Sequence, residues 1–229
     1  MSWLWSNFGL VWDLTVAHIA FSVPPIIIAF VVSLPIGWVA NRYHASRGTL
    51  LTICGILYAI PSLPLFVAMP ALIGTKILNP INLIVALSIY GLALMVRTTA
   101  DGLSSVSSDV LQSATAVGFS AWQRFWAVEL PLSGPVLLAG LRVVSVSTIS
   151  LVSVGSLIGA KNLGYLFIDG YATSFPTEVV IGIVAIMVIA LVFDVILVLL
   201  GRALMPWARS ERRLKVRTRR ETLKVANES

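Results

Sequence analysis

Five long apolar runs, residues 14–40, 49–73, 83–96, 135–158 and 178–200, leave this chain few ways to fold. A helix crosses the roughly 30 Å hydrocarbon core of a bilayer in about 20 residues. Lipid offers no partner to an unpaired backbone amide or carbonyl, so each run must satisfy its own. The third run is the shortest, and Pro80 and Arg97 are its natural bounds. The pattern predicts an all-α, polytopic membrane protein with about five transmembrane helices. Composition agrees: 58% of residues are hydrophobic and 11% are charged, against about 25% charged in soluble domains. The expected organisation is an external amino-terminal segment, 1–13, a transmembrane domain, 14–206, and a basic tail, 207–229. The amino terminus lacks the positive stretch that opens a cleavable signal peptide. Trp3, Trp5 and Trp12 suit an interfacial anchor.

Within the runs, Pro24, Pro25 and Pro35 should kink the first helix. Pro61, Ser62 and Pro64 break the second at its middle. Irregular backbone at membrane depth needs protein or water around it, so the break is either a structural kink or part of a pathway. His18 reads as a hydrogen-bonded helix residue near the interface. Cys54, the one cysteine, excludes a disulfide framework and a cysteine-rich metal site. Asp194 reads as the only carboxylate deep in an apolar run. Ionisable groups inside a membrane mark function by default. With no second titrating group in view, however, Asp194 makes a poor proton relay and reads as a packing or partner-facing residue.

The basic residues divide unevenly between alternate loops. With the amino terminus outside, 14 of the 16 Lys and Arg lie on the inner side, and only Lys76 and Lys161 outside. Basic residues near helix ends stay cytoplasmic. The expected protein is therefore a multi-pass cell-membrane protein, with Lys161 external and the carboxyl terminus, including Arg213, cytoplasmic. The tail carries eight Lys and Arg against three Glu. It reads as an anchor on anionic lipid rather than as a nucleic-acid surface.

The most informative polar stretch is 112–142, much of it inside a cytoplasmic loop of about residues 98–134. Asp109 is placed to cap its first helix. Gln112, Ser113 and Ala114 begin a run of small residues, and Gly118 interrupts the helical pattern. Residues 121–126 read as a second short helix carrying Trp122, Phe125 and Trp126. Leu130-Pro131 should end it, because proline lacks an amide donor and clashes with the preceding turn. On its residues alone this bracket is either an amphipathic interfacial loop or a docking element for a soluble partner.

Order and spacing in the bracket are similar to the Glu-Ala-Ala loop of ABC-importer permeases. There, Glu-Ala-Ala is followed by three residues, a Gly, about a dozen residues and Leu-Pro. Gln112-Ser113-Ala114, Gly118 and Leu130-Pro131 follow that order, with Gln112 and Ser113 replacing the Glu and the first Ala. The stretch 158–166, Ile-Gly-Ala-Lys-Asn-Leu-Gly-Tyr-Leu, resembles an Ile-Gly-Ala-Gly-Gly-Leu-Gly segment. That segment occurs in permeases for glycine betaine, carnitine, choline and related osmoprotectants, and in methionine-type permeases. Lys161 and Asn162 replace its two central glycines. The end from Asp194 to Trp207 looks like the last helix of the osmoprotectant branch.

Over about residues 14–207 the chain thus resembles a permease subunit of the glycine betaine/carnitine/choline transporter family. The resemblance implies a type I ABC-importer permease (MetI-like) fold. It implies an ATPase-docking loop built from Gln112, Ser113, Ala114, Gly118, Trp122, Phe125, Leu130 and Pro131. It places an outer loop or gate at Gly159, Leu163 and Gly164, and Pro61, Ser62 and Pro64 are pathway candidates. The implied partners are an ABC ATPase subunit, a second permease subunit (homologous or identical), an external substrate-binding protein and membrane lipid, with no nucleic acid. The chain itself would be a non-catalytic transport subunit without catalytic, metal or cofactor sites, ATP being bound by its partner. The absence of a Gly-x-x-x-x-Gly-Lys-Ser/Thr loop agrees, since that loop cradles phosphates. A quaternary ammonium substrate needs an aromatic cage, and Tyr58, Phe66 and Tyr90 are scattered, which fits a cage in the binding protein. Two alternatives stay open: a methionine-type or other small-solute importer and, in a different class, an intramembrane enzyme using His18 and Asp194.

Overall fold

The structure, a computed structural model, describes residues 2–207. The tail beyond, with Arg213, lies outside the described residues. Helices carry the described chain. In order they are α1 (Ser2–Ser6), α2 (Phe8–Arg42), α3 (His44–Ala59), α4 (Ser62–Ile73), α5 (Pro80–Ser104), α6 (Ser108–Ala116) and α7 (Ala121–Arg124). A π-turn, Phe125–Glu129, leads into α8 (Leu130–Val152), and a 3-10 turn, Ser153–Ile158, closes it; α9 (Tyr165–Ala172) and α10 (Pro176–Leu204) follow.

Helix α5 is the spine. It packs against α2, α3, α4 and α8, and α10 lies against α8 and α9. Its start is set by Asn79, whose side chain accepts from the Ile81 amide at 3.0 Å, and by Pro80 in the first turn. Its end overruns the apolar run by two turns. Thr98 and Thr99 looked like loop residues, but Thr98 bonds back to the Leu94 carbonyl at 3.2 Å and Thr99 reaches Ser33 of α2 at 3.2 Å. A hydroxyl that finds a partner inside the bundle is no obstacle to a helix. Likewise α2 begins at Phe8, ahead of residue 14, and is one continuous helix through Pro24, Pro25 and Pro35.

The second run is a bent pair: α3 and α4 meet at 102°. Pro61 and Pro64 cause the break. Pro64 has no amide to offer the Ile60 carbonyl, and the Tyr90 hydroxyl of α5 donates to that carbonyl instead. The two ends of the pair show that it crosses the bundle. Arg47, early in α3, pairs with Asp101 near the end of α5 at 2.9 Å. Thr75, just past α4, bonds to Asn82 at the start of α5. The pair thus travels the length of α5, whose 25 residues span about 37 Å. With α2, α5, α8 and α10 this makes five crossings, and successive crossings run in opposite directions.

Three apolar clusters fill the interior. Leu65, Phe66, Met69, Leu83, Leu87 and Val152 join α4, α5 and the end of α8. Leu14, Ile149, Leu163, Leu166, Ile186 and Ile189 join α2, α8, α9 and α10. Ala29, Met95, Leu137 and Val144 lie where α2, α5 and α8 cross.

Candidate functional site

The bracket is at the end of the bundle that also holds Arg47 and Asp101. Helix α6 starts from Ser107, whose hydroxyl accepts from the Asp109 amide at 3.3 Å. The cap is therefore Ser107, and Asp109 sits in the first turn, where its charge favours the helix amino terminus. Gly118, at φ +98°, turns the chain between α6 and α7. Only a residue without Cβ adopts this left-handed geometry freely. Ser120 and Gln123 then form a reciprocal capping box, with bonds of 2.9 and 3.3 Å.

Leu130-Pro131 does not end the second helix, contrary to the expectation from sequence. Helix runs unbroken from Ala121 to Ile158. Before the proline the ladder slips one residue: the Leu130 amide donates to the Phe125 carbonyl five residues back. This π-turn absorbs the irregularity, so bracket and membrane helix form one rod.

An ion pair that sequence reasoning missed holds the bracket closed. Arg124 Nε donates to Glu129 at 2.8 Å and its Nη1 to Thr115 of α6 at 2.9 Å. Glu129 is buried, which leaves Arg124 as its compensating charge. The i, i+5 spacing is not a regular α-helical pair and becomes reachable through the π-turn. Behind it lies a cleft of about 180 Å³ lined by Trp38, Asn41, Arg42, Leu111, Arg124 and Glu129.

The predicted docking residues divide. Gln112, Ser113, Gly118 and Trp122 are exposed, Ala114, Leu130 and Pro131 half-buried. Phe125, at 2% exposure, is a support rather than a contact. Its ring lies 5.9 Å from that of Trp38 on α2, and Trp122 stands edge-on to the same indole. Val117, Phe119, Trp122 and Trp126 form the exposed apolar surface of the bracket. The rings of Trp122 and Trp126 meet edge-on with centroids 5.6 Å apart.

At the far end, Gly159 adopts φ +87°. Asn162, one of the two replacements, holds the next turn by bonding to the Ala160 carbonyl and the Gly164 amide, each at 2.8 Å. Leu163 and Gly164 are interior, and Gly164 lies against the Ser153 backbone, where a Cβ has no room. Asn162, Leu163 and Gly164 pack into the bundle, while Gly159 and Lys161 stay exposed. In α9 the Asp169 carboxylate pushes the Tyr165 phenol above its ordinary value.

Further residues refine the sequence picture. His18 is fully buried and, as expected from sequence, hydrogen-bonded: its Nε2 bonds to the Ile149 carbonyl at 2.9 Å. Asp194 does have a charged partner: Arg142 binds it with two hydrogen bonds, at 2.5 and 2.8 Å. Among the described residues the buried carboxylates are Glu129 and Glu178. His18 and Asp194 contact α8 seven residues, about 10 Å, apart and form no common site. Tyr58 and Tyr90, scattered in sequence, meet edge-on at 6.1 Å. Pro61 and Pro64 are exposed on the bend, with Ser62 half-buried between them.

The described chain is a bundle of five candidate membrane crossings with a short apolar-faced bracket continuous with one of them. Residues 33–209 match the family described as the binding-protein-dependent transport system inner membrane component, and the chain belongs to that family. It is 31% identical over 207 residues to the choline transport system permease protein OpuBB of Bacillus subtilis, covering 90% of this chain and 94% of that one. It is 28% identical over 207 residues to the glycine betaine/carnitine/choline transport system permease protein OpuCB of the same organism, with the same coverage. With the osmoprotectant import permease protein OsmY of Salmonella typhimurium it shares 31% over 193 residues, 82% of this chain and 80% of that one. Among solved structures, the inward-facing MetNI methionine ABC transporter matches with a TM-score of 0.79 and 19% identity. That match covers 87% of this chain and 98% of the solved one. The fold is the MetI-like one of ABC-importer permeases, and the chain is the membrane-spanning permease subunit of an ABC importer.

Proposed function

We propose that the chain translocates a compatible solute bearing a quaternary ammonium, such as glycine betaine, choline or carnitine. The carrying observation is the 31% identity to a choline permease across nine-tenths of the chain. The likeness to MetNI bears on fold alone. In this reading a separate ATPase subunit binds and hydrolyses ATP and seats the Val117, Phe119, Trp122 and Trp126 surface. An external binding protein delivers the solute, and a second permease completes the path. The bracket end of the bundle is cytoplasmic, since Arg42, Arg47 and Arg124 are there while Lys76 and Lys161 are at the other end. Weak selectivity in the membrane path suits conduction, because a solute held tightly midway leaves slowly. Labelled betaine, choline, carnitine and methionine are offered to cells with the gene deleted and then restored. Uptake of at least one of the first three should follow the gene. Gene-dependent uptake of methionine alone would replace this substrate class.

A further inference from the structure

The break between α3 and α4 carries polar groups that the bundle leaves unused. Tyr90, whose hydroxyl holds the Ile60 carbonyl, is at the centre of the apolar run 83–96, which contains no charged side chain. The break therefore lies midway through a crossing. In a continuous helix the Ser62 and Leu63 amides would bond to the Tyr58 and Ala59 carbonyls. The 102° bend takes them away, and among the described residues no hydrogen bond reaches either carbonyl. Tyr58, Ala59 and Pro61 are exposed. Open carbonyls at membrane depth are tolerated where they meet protein or water, not lipid.

Two features suit this opening to a cation. The carbonyls at the end of α3 carry the negative end of its macrodipole, and broken membrane helices hold cations with such ends. On α4 the opposing positive end is weakened, because Pro64 has no amide and the Leu65 amide is bonded to the Pro61 carbonyl. The Tyr58 ring, 48% exposed, stands beside the open carbonyls. Tyr90, buried and bonded to Ile60, meets it edge-on with centroids 6.1 Å apart. That contact covers at most one of the two faces of Tyr58. A quaternary ammonium has no N–H to donate, so ring faces and dipoles are what hold it.

We infer that the end of α3, with the Tyr58 ring and the Tyr58 and Ala59 carbonyls, is a way-point for the quaternary ammonium as the solute crosses. One ring is far short of a cage, and a weak stop suits conduction. The inference rests on the proposed substrate class and names the residues that meet it in the path.

The test uses cells with the gene deleted and then restored with Tyr58→Phe or with trifluorophenylalanine at Tyr58. Fluorine draws charge from the ring face at nearly constant size. Initial uptake of labelled choline, betaine or carnitine should be about two- to fivefold slower with the fluorinated ring than with Phe, at equal membrane level. With Cys54 replaced, Tyr58→Cys in permeabilised membranes should react with a methanethiosulfonate bearing a trimethylammonium group. Gene-dependent uptake that ignores fluorination, or a thiol that stays unreactive, would overturn the way-point and leave the substrate class standing. If uptake of none of the three solutes follows the gene, the substrate class fails and the way-point with it.

Discussion

Two buried polar side chains do work at the residue scale that hydrophobicity alone does not disclose. His18 donates to the Ile149 carbonyl, which α8 leaves free because the Ser153 amide turns to Ser150 and Leu151 as the 3-10 turn begins. His18→Leu strands that carbonyl where no water replaces the donor, at a cost of about 1–3 kcal/mol. His18→Gln keeps an N–H at similar reach. The Leu variant should lower the thermal midpoint of the purified complex and the Gln variant much less; equal losses would show that the bond contributes nothing. Glu129 and Arg124 are the second case. Glu129→Leu leaves a guanidinium with 22% side-chain exposure unpaired. This should cost about 1–3 kcal/mol, below the full figure for a wholly buried pair. Arg124→Met together with Glu129→Leu removes both charges and should recover most of the loss. A double variant as unstable as the single one would assign the loss to packing.

The bracket and the rod are the elements that matter. Gly118 turns at φ +98°, and a Cβ placed there would meet nothing within 4 Å, so a substitution strains the backbone without a clash. Gly118→Ala should cost about 1–2 kcal/mol in the bracket alone, and Gly118→Trp adds bulk beside the exposed apolar surface. Both variants should reach the membrane at normal level, while substrate-stimulated ATP hydrolysis by the complex falls. Unchanged stimulation in the Trp variant would remove the docking role from this loop. The bracket was legible in the sequence because Gly118 and the small residues before it are local signals. The unbroken rod was not. Leu130-Pro131 has a local reading as a stop, and it is overridden by a one-residue slip upstream and by packing of Phe125 on Trp38, 87 residues away.

For the whole molecule, the alternation of five crossings and the clustering of arginines at one end fix which loops share a side. With Cys54 replaced, Lys161→Cys should react with an impermeant maleimide in intact cells, and Val117→Cys only after permeabilisation. The reverse pattern would invert the proposed orientation. The apolar runs alone determined that the chain crosses a membrane as helices, because lipid leaves a backbone no other way to satisfy its polar groups. The order of small residue, glycine and Leu-Pro, with the glycine-rich outer stretch, was enough to identify the family. Tertiary structure alone decided which polar groups meet. Arg142 with Asp194, Arg124 with Glu129 and His18 with Ile149 depend on which helix faces which and on local slips in register. Those follow from packing of side chains far apart in the chain, for which a linear pattern of apolar residues carries no signal.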